Sequence, residues 1–166
     1  METNTRLYVA YGSNLNMGQM AVRCPGAIPV ATARIKGYRL AFKGSKTGAY
    51  LTIERSPRKF VPVVVWKVTE EDEKNLDRYE GYPAFYYKRN LKLELFDLID
   101  GKSLGVHDTF VYIMDETRQY GIPSDRYFDI CLEGYHRFGM DLDYIDEAYD
   151  YSFAKAPAIS RYKAVM

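Results

Sequence analysis

Residues 8–15, Tyr8-Val9-Ala10-Tyr11-Gly12-Ser13-Asn14-Leu15, begin as an apolar, β-prone run and break abruptly into Gly-Ser-Asn. A helix-like stretch follows at once, from Asn16 to about Arg23. A strand that turns through glycine into a helix leaves backbone N–H groups unpaired and aimed at one point. With the positive end of a helix dipole behind them, such donors suit a carboxylate or an oxyanion. The same residue types also serve plain turns, where they satisfy the backbone and nothing more. The stretch therefore needs a second site residue before it reads as chemistry.

Working outward, Arg6 to Tyr11 is rich in Leu, Tyr and Val and reads as a mostly buried strand. Asn14 or Asn16 is placed to cap the following helix, with Met17, Met20 and Ala21 as its apolar stripe and Cys24-Pro25-Gly26 as its stop. A longer β region runs from about Ala27 to Phe42, with Gly37 at a bulge or bend. Residues 43–48 form a polar turn, Tyr50 to Ile53 a strand, and Glu54 to Lys59 a second turn. Phe60 to Val68 is nearly all apolar, as in a central strand buried on both faces, although Pro62 argues against full pairing at its own position. Thr69-Glu70-Glu71-Asp72 has the form of a capping box with Asp in place of Glu. The helix it opens runs through Leu76 and Tyr79 and stops at Glu80-Gly81. Phe85 to Asp97 and Leu104 to Met114 are the last strands; helices follow from Asp125 to Phe138 and from Asp141 to Tyr149. Runs of strands between helices favour an α+β fold over a doubly wound sheet, and the strands are numerous enough to close into a small barrel. Residues 1–152 read as one domain and residues 153–166 as a C-terminal tail.

Bulk properties narrow the function. With 166 residues the chain can bury a sizeable core, and a net charge of +1 gives no field that would favour nucleic acid or an anionic membrane. No apolar run approaches the roughly 20 residues of a membrane span. The polar start, Met1 to Arg6, lacks the order of a signal peptide. Cys24 and Cys131 are far apart and without metal-ligand spacing, so free thiols in the cytoplasm are expected. His107 and His136 find no third ligand, and neither cysteine has a neighbouring histidine to activate it. No metal and no cofactor is expected. Arg55, Arg58 and Lys59 read as a solvated turn. Sixteen tyrosines stand against one tryptophan and eight phenylalanines, enough to line a pocket with polar aromatic tips.

Glu80 is the second site residue. It occupies the last turn of its helix, where the negative end of the dipole disfavours a carboxylate by about 0.3–1 kcal/mol. Glu73, Leu76 and Glu80 share one face, which brings Glu80 toward the core side. Burial and a helix C-terminus both raise a carboxyl pKa toward neutrality, as a proton-shuttling base requires. The competing reading is a surface glutamate, or one paired with Arg78 or Lys88.

Tyr11-Gly12-Ser13-Asn14-Leu15 followed by Met20, Arg23, Cys24 and Pro25 resembles the entry motif of gamma-glutamylcyclotransferase-like (AIG2-like) proteins. Leu51-Thr52-Ile53, Val64-Val65-Trp66-Lys67-Val68 and Leu76-Asp77-Arg78-Tyr79-Glu80-Gly81 continue the pattern in order. Tyr86-Tyr87-Lys88-Arg89 and Pro123-Ser124-Asp125-Arg126-Tyr127 fit as well, so the resemblance covers roughly residues 7 to 140. It departs at Val61-Pro62-Val63, where the family often has a glycine, and the tail has no counterpart.

The resemblance implies a small mixed β-barrel flanked by helices, with a cavity that holds a γ-glutamyl group against the loop from Tyr11 to Leu15. It implies conversion of a γ-glutamyl amide into 5-oxoproline and a free amine. The substrate's own α-amine attacks its side-chain carbonyl, so the protein supplies a base, an oxyanion site and shape rather than a nucleophile. Glu80 would move the protons. The N–H groups of Gly12, Ser13 or Asn14 would hold the substrate carboxylate or the developing oxyanion, and the sequence leaves both roles open. Tyr127 matches a family tyrosine and would orient Glu80 or the substrate, or else pack its helix on the barrel. Arg23 would face the substrate carboxylate or solvent. The expected partner is a small γ-glutamyl molecule. The leaving amine, the pathway and the oligomeric state stay open, with residues 43–49, 82–87 and 115–123 as candidate pocket loops. The alternative function is a non-catalytic module on the same fold that binds a small carboxylate or a protein partner.

Overall fold

The apolar runs become the walls of a closed barrel. A computed structural model describes residues 4–45 and 48–165. Five strands, β1 (Thr5–Ala10), β2 (Ile28–Ser45), β3 (Gly48–Thr69), β4 (Tyr86–Asp97) and β5 (Ser103–Met114), close in the order β1-β3-β2-β4-β5. All pairs are antiparallel except β1 with β5, which run parallel with Tyr8 opposite Phe110 and Val9 opposite Val111. The barrel is therefore mixed. Helices α1 (Met17–Arg23), α2 (Glu70–Glu80), α3 (Asp125–Arg137), α4 (Asp143–Lys155) and α5 (Ala158–Val165) flank it.

β3 is the central strand. It pairs with β1 along Val64–Thr69 and with β2 along most of its length, and Val63, Val64 and Val65 are all fully buried. Consecutive residues point to opposite faces, so burial of all three means that both faces are covered. Pro62 lies opposite Arg34, beyond the end of the β1 ladder at Val64, where its missing N–H costs least.

One expected break is absent. Glu54 to Lys59 is not a turn between two strands but part of the single strand β3. Tyr38 pairs with Arg55 and Lys36 with Phe60, so residues 56–59 bulge outward opposite Gly37 alone. Gly37, at φ 79°, takes the left-handed conformation that lets β2 bend there. The polar composition of 54–59 reflects an exposed bulge, and the long partner strand carries the pairing through it. The turn expected at 43–48 includes Lys46 and Thr47, which lie outside the described residues.

The capping box at α2 is present: Thr69 Oγ1 accepts from the Asp72 N–H, and the Asp72 carboxylate accepts from the Thr69 N–H. Asp72 also accepts from the Gly26 N–H, which ties the end of α1 to the start of α2. At the other end Gly81, at φ 62°, stops the helix, and the Tyr82 N–H reaches the Asp77 carbonyl at 2.9 Å. Leu76, fully buried, docks α2 on the barrel.

The helix expected at Asp141–Tyr149 runs from Asp143 to Lys155 instead, so the segment set apart as a tail from residue 153 starts inside a helix. Nothing between Tyr149 and Lys155 breaks a helix; Pro157 lies just past its C-cap, Ala156. Ser152 holds it in place, its hydroxyl accepting the buried Phe42 N–H at 2.8 Å.

Candidate active site

The Gly-Ser-Asn turn is built differently from a plain strand-to-helix junction. A 3-10 turn, Ser13–Leu15, intervenes, and α1 begins only at Met17. Asn16 and not Asn14 is the cap: its Oδ1 accepts the Gln19 N–H at 3.1 Å. The end of α1 therefore does not stand directly behind Gly12–Asn14, and the turn itself supplies the donors. The Leu15 and Asn16 N–H groups return to the carbonyls of Gly12 and Ser13. Those of Gly12, Ser13 and Asn14 have no protein acceptor among the described residues. Of the expected apolar stripe on α1 only Met20 is buried; Met17 and Ala21 face outward because α1 meets the rest of the protein along one narrow edge.

Helix α3 fixes the turn from behind. Gly134 approaches so closely that a Cβ there would lie 2.7 Å from Leu15 Cβ, and the Tyr135 hydroxyl donates to the Tyr11 carbonyl at 2.7 Å. Tyr11 in turn donates its hydroxyl to the Tyr112 carbonyl at 2.6 Å. The Asn14 amide donates to the Tyr8 hydroxyl at 2.9 Å. A loop tied at this many points holds its free N–H groups in a fixed direction.

Glu80 lines the same cavity as Gly12, Ser13 and Asn14, a space of about 370 Å³. The cations expected to compete for it are engaged elsewhere. Lys88 pairs with Glu73 at 2.6 Å and Asp77 at 2.8 Å, and Arg78 donates to Asn75. No hydrogen bond or ion pair to Glu80 occurs among the described residues. Desolvation by burial pushes its carboxyl up to about 8, against an opposing pull from the Arg23 guanidinium. A carboxyl of that kind takes and returns protons near neutral pH.

The remaining walls are aromatic: Tyr50, Phe85, Tyr86, Tyr112 and Tyr127 among them. Tyr86 donates to the Leu51 carbonyl at 2.8 Å, while the Tyr127 oxygen accepts the Leu51 N–H at 3.0 Å. Tyr127 packs edge-on against Tyr50, with centroids 5.1 Å apart, and its hydroxyl lies near Gly12. It faces the cavity and the turn, with no hydrogen bond to Glu80. Burial raises the phenols of Tyr8, Tyr11, Tyr86 and Tyr127 well above their ordinary range, so they stay neutral.

Of the residues singled out in the sequence, Glu80, Tyr11, Gly12, Ser13, Asn14 and Tyr127 all line this cavity. Leu15 does not; it is fully buried against α3 and contributes packing. Among the described residues of the candidate pocket loops, only Phe85 and Tyr86 of 82–87 reach the cavity. The described residues of 43–49 meet 115–123 away from it, with the Gly44 N–H donating to the Gln119 carbonyl, and the Gly121 N–H reaches the carbonyl of Phe42 just before that stretch. Tyr50 and Tyr112 line the cavity too, and the tyrosine excess is their only signal in the sequence; Tyr8 and Tyr86 belong to quoted motifs, but nothing in those motifs marks either as a cavity wall. Cys24 and Cys131 are buried, and desolvation pushes both thiols up to about 12. Among the described residues no group of three His, Cys, Asp or Glu side chains is placed to hold a metal, and no helix is long and apolar enough to cross a membrane.

Residues 8–129, the segment that carries the turn, Glu80 and Tyr127, match the family model described as gamma-glutamyl cyclotransferase, AIG2-like. The chain belongs to this family. Its curated relatives include human gamma-glutamylcyclotransferase, 32% identical over 83% of this chain and 74% of that protein. They also include bovine gamma-glutamylcyclotransferase, 38% identical over 49% of this chain. The bovine match spans only 47% of its relative, about half its length. A solved gamma-glutamyl cyclotransferase superposes with a TM-score of 0.74 at 29% identity, covering 87% of this chain and 86% of that one. The AIG2-like barrel expected from the sequence is thus the fold that this family member adopts.

Proposed function

We propose that this gamma-glutamyl cyclotransferase family member converts a γ-glutamyl amide into 5-oxoproline and a free amine, with Glu80 as general base and acid. The observation that carries the reading is the Glu80 carboxyl, without a protein partner among the described residues and pushed up to about 8, on a cavity lined also by Gly12, Ser13 and Asn14, whose N–H groups have no acceptor among the described residues.

The chemistry follows from those parts. Glu80 takes a proton from the substrate α-ammonium. The freed nitrogen lone pair attacks the γ-carbonyl carbon, a C–N bond closes the five-membered ring, and charge develops on the carbonyl oxygen. N–H groups of the turn suit that oxyanion or the substrate's α-carboxylate. Collapse of the intermediate breaks the bond to the leaving amine, which takes the proton from Glu80; the ring nitrogen gives up its second proton by way of the freed Glu80 carboxylate, leaving the neutral lactam N–H, and the amine departs as its ammonium. No enzyme nucleophile is needed, because closure is intramolecular once the extended side chain is held folded. Tyr11 and Tyr127 supply shape around the group. Every residue in this scheme lies within residues 8–129, so we assign the activity to that segment. Two buried free thiols suit a cytoplasmic protein.

The test is 5-oxoproline release from a panel of γ-glutamyl dipeptides and γ-glutamyl amines. Product from the wild type and a loss of about 10²–10⁴-fold in Glu80→Gln are expected. Full turnover by a folded Glu80→Gln sinks the role of Glu80. Binding of panel members without product would favour a carboxylate-binding module.

A further inference from the structure

We infer that Arg23 is a positioning residue for this reaction: it clamps the Ser13–Asn14 turn to the end of α2 and is the cation that keeps Glu80 competent as a base. The inference rests on the role proposed for Glu80.

Arg23 is half-buried and does not line the cavity. One guanidinium nitrogen donates to Ser13 Oγ at 3.3 Å and to Asn14 Oδ1, and the other donates to Gln19 Oε1 at 2.5 Å. Its plane covers the Tyr79 ring, with the central carbon 3.5 Å from the centroid. One side chain thus joins the turn that offers the N–H groups to the residue that precedes Glu80. A planar fork reaches the turn from one nitrogen and Gln19 from the other while lying flat over Tyr79, a combination that the single nitrogen of an ammonium cannot reproduce.

All of these partners are neutral, and no carboxylate pairs with Arg23 among the described residues. A half-buried cation is costly without a counter-charge unless something nearby uses its field. Glu80, which follows the Tyr79 that Arg23 covers, is the carboxyl its field reaches. The other titratable groups that feel Glu80, each raised by it, are Tyr8 from β1, Tyr11 just after it, Cys24 after α1, Tyr79 on its own helix, Tyr86 from β4 and Tyr112 from β5. Each holds its proton through the working range, so none can offset the desolvation of a carboxylate. Arg78 shares the cavity wall but is directed to Asn75. Among the described residues the Arg23 guanidinium is the charge that pulls the Glu80 carboxyl down, against the larger upward push of burial.

The experiment compares pH profiles of kcat/KM for 5-oxoproline release in the wild type, Arg23→Gln, Arg23→Lys and Glu80→Gln, with one substrate so that its own ionisation is common to all. Carbon-13 NMR titration of the Glu80 carboxyl, assigned by its absence in Glu80→Gln, gives a readout independent of turnover. Arg23→Gln should move the acid limb and the NMR titration up together by about one pH unit, a loss of about tenfold in activity at neutral pH. Arg23→Lys should leave both near their wild-type position while KM rises, because charge is kept and the clamp is lost. A limb and titration unmoved in Arg23→Gln would overturn the inference, as would a moved limb in Arg23→Lys if Arg23→Gln fails to fold. An active Glu80→Gln would instead overturn the proposed base, which keeps the two failures distinct.

Discussion

Replacing Glu80 by glutamine should abolish the reaction and stabilise the fold, and the gain should grow with pH. The carboxyl is pushed from an ordinary value of 4.5 to about 8, with desolvation as the cause and Arg23 as the smaller opposing influence. Between those two values the folded chain binds more protons at this site than the unfolded chain does. Stability therefore falls as pH rises through that window. Below 4.5 both states are protonated and the site costs nothing; above about 8 a desolvated carboxylate imposes its full cost. At about 1.36 kcal/mol per pH unit, the window sets a ceiling of ~5 kcal/mol. Relaxation and water reaching a half-buried group reduce that, and ~2 kcal/mol should survive. Glutamine has nearly the same shape and no charge at any pH. Urea unfolding of both proteins at about pH 5 and about pH 9 measures the difference, which should widen in favour of Glu80→Gln by ~2 kcal/mol at the higher pH. A gap independent of pH, or a wild type that gains on the variant as pH rises, would refute the argument. Either result would mean that the carboxylate is as well solvated in the folded protein as in the open chain.

Two further perturbations probe the frame around Glu80. In Tyr127→Phe the buried Leu51 N–H loses its acceptor, so unfolding free energy should fall by ~1–2 kcal/mol, with a raised KM for γ-glutamyl substrates; an unchanged urea midpoint would show that the bond carries nothing. In Gly134→Ala the new methyl would meet Leu15 Cβ at 2.7 Å, so α3 must withdraw from the turn; stability should drop by ~1–3 kcal/mol and kcat should fall with it. Wild-type stability and kcat in that variant would show that the turn is not held from α3.

The local signals in the sequence were good guides where one residue type has one physical use. The capping box at Thr69, the helix stop at Gly81 and the bulge at Gly37 are each set by backbone requirements that few residues meet. The Gly-Ser-Asn turn and Glu80 were legible as separate features, but their meeting on one cavity depends on the closure of β1 against β3 and β5, which no local pattern encodes. The 54–59 stretch misled because its composition is that of a turn, while its pairing is decided by an 18-residue partner strand. Arg23 carries no local signal, because an arginine at a helix end is usually solvated. Its role emerges only from the convergence of Ser13, Asn14 and Tyr79 on one guanidinium.

The tyrosines explain how so small a barrel keeps an unpaired carboxyl. Tyr11 and Tyr86 donate to backbone carbonyls, Tyr112 donates to Asp77, Tyr8 accepts from Asn14 and Tyr127 accepts from a backbone N–H. These hydroxyls are bonded to the protein and not to Glu80. They pin the rings to the barrel wall, which phenylalanine could not do, and the cavity is thereby lined with aromatic rings whose hydroxyls are engaged by the protein. Such rings solvate a carboxylate poorly, so the same bonds that fix the cavity's shape also keep Glu80 near neutrality. A reaction whose nucleophile belongs to the substrate needs that combination more than it needs additional polar groups. The folded γ-glutamyl chain must be held in shape, and the single proton carrier must not be neutralised by its neighbours.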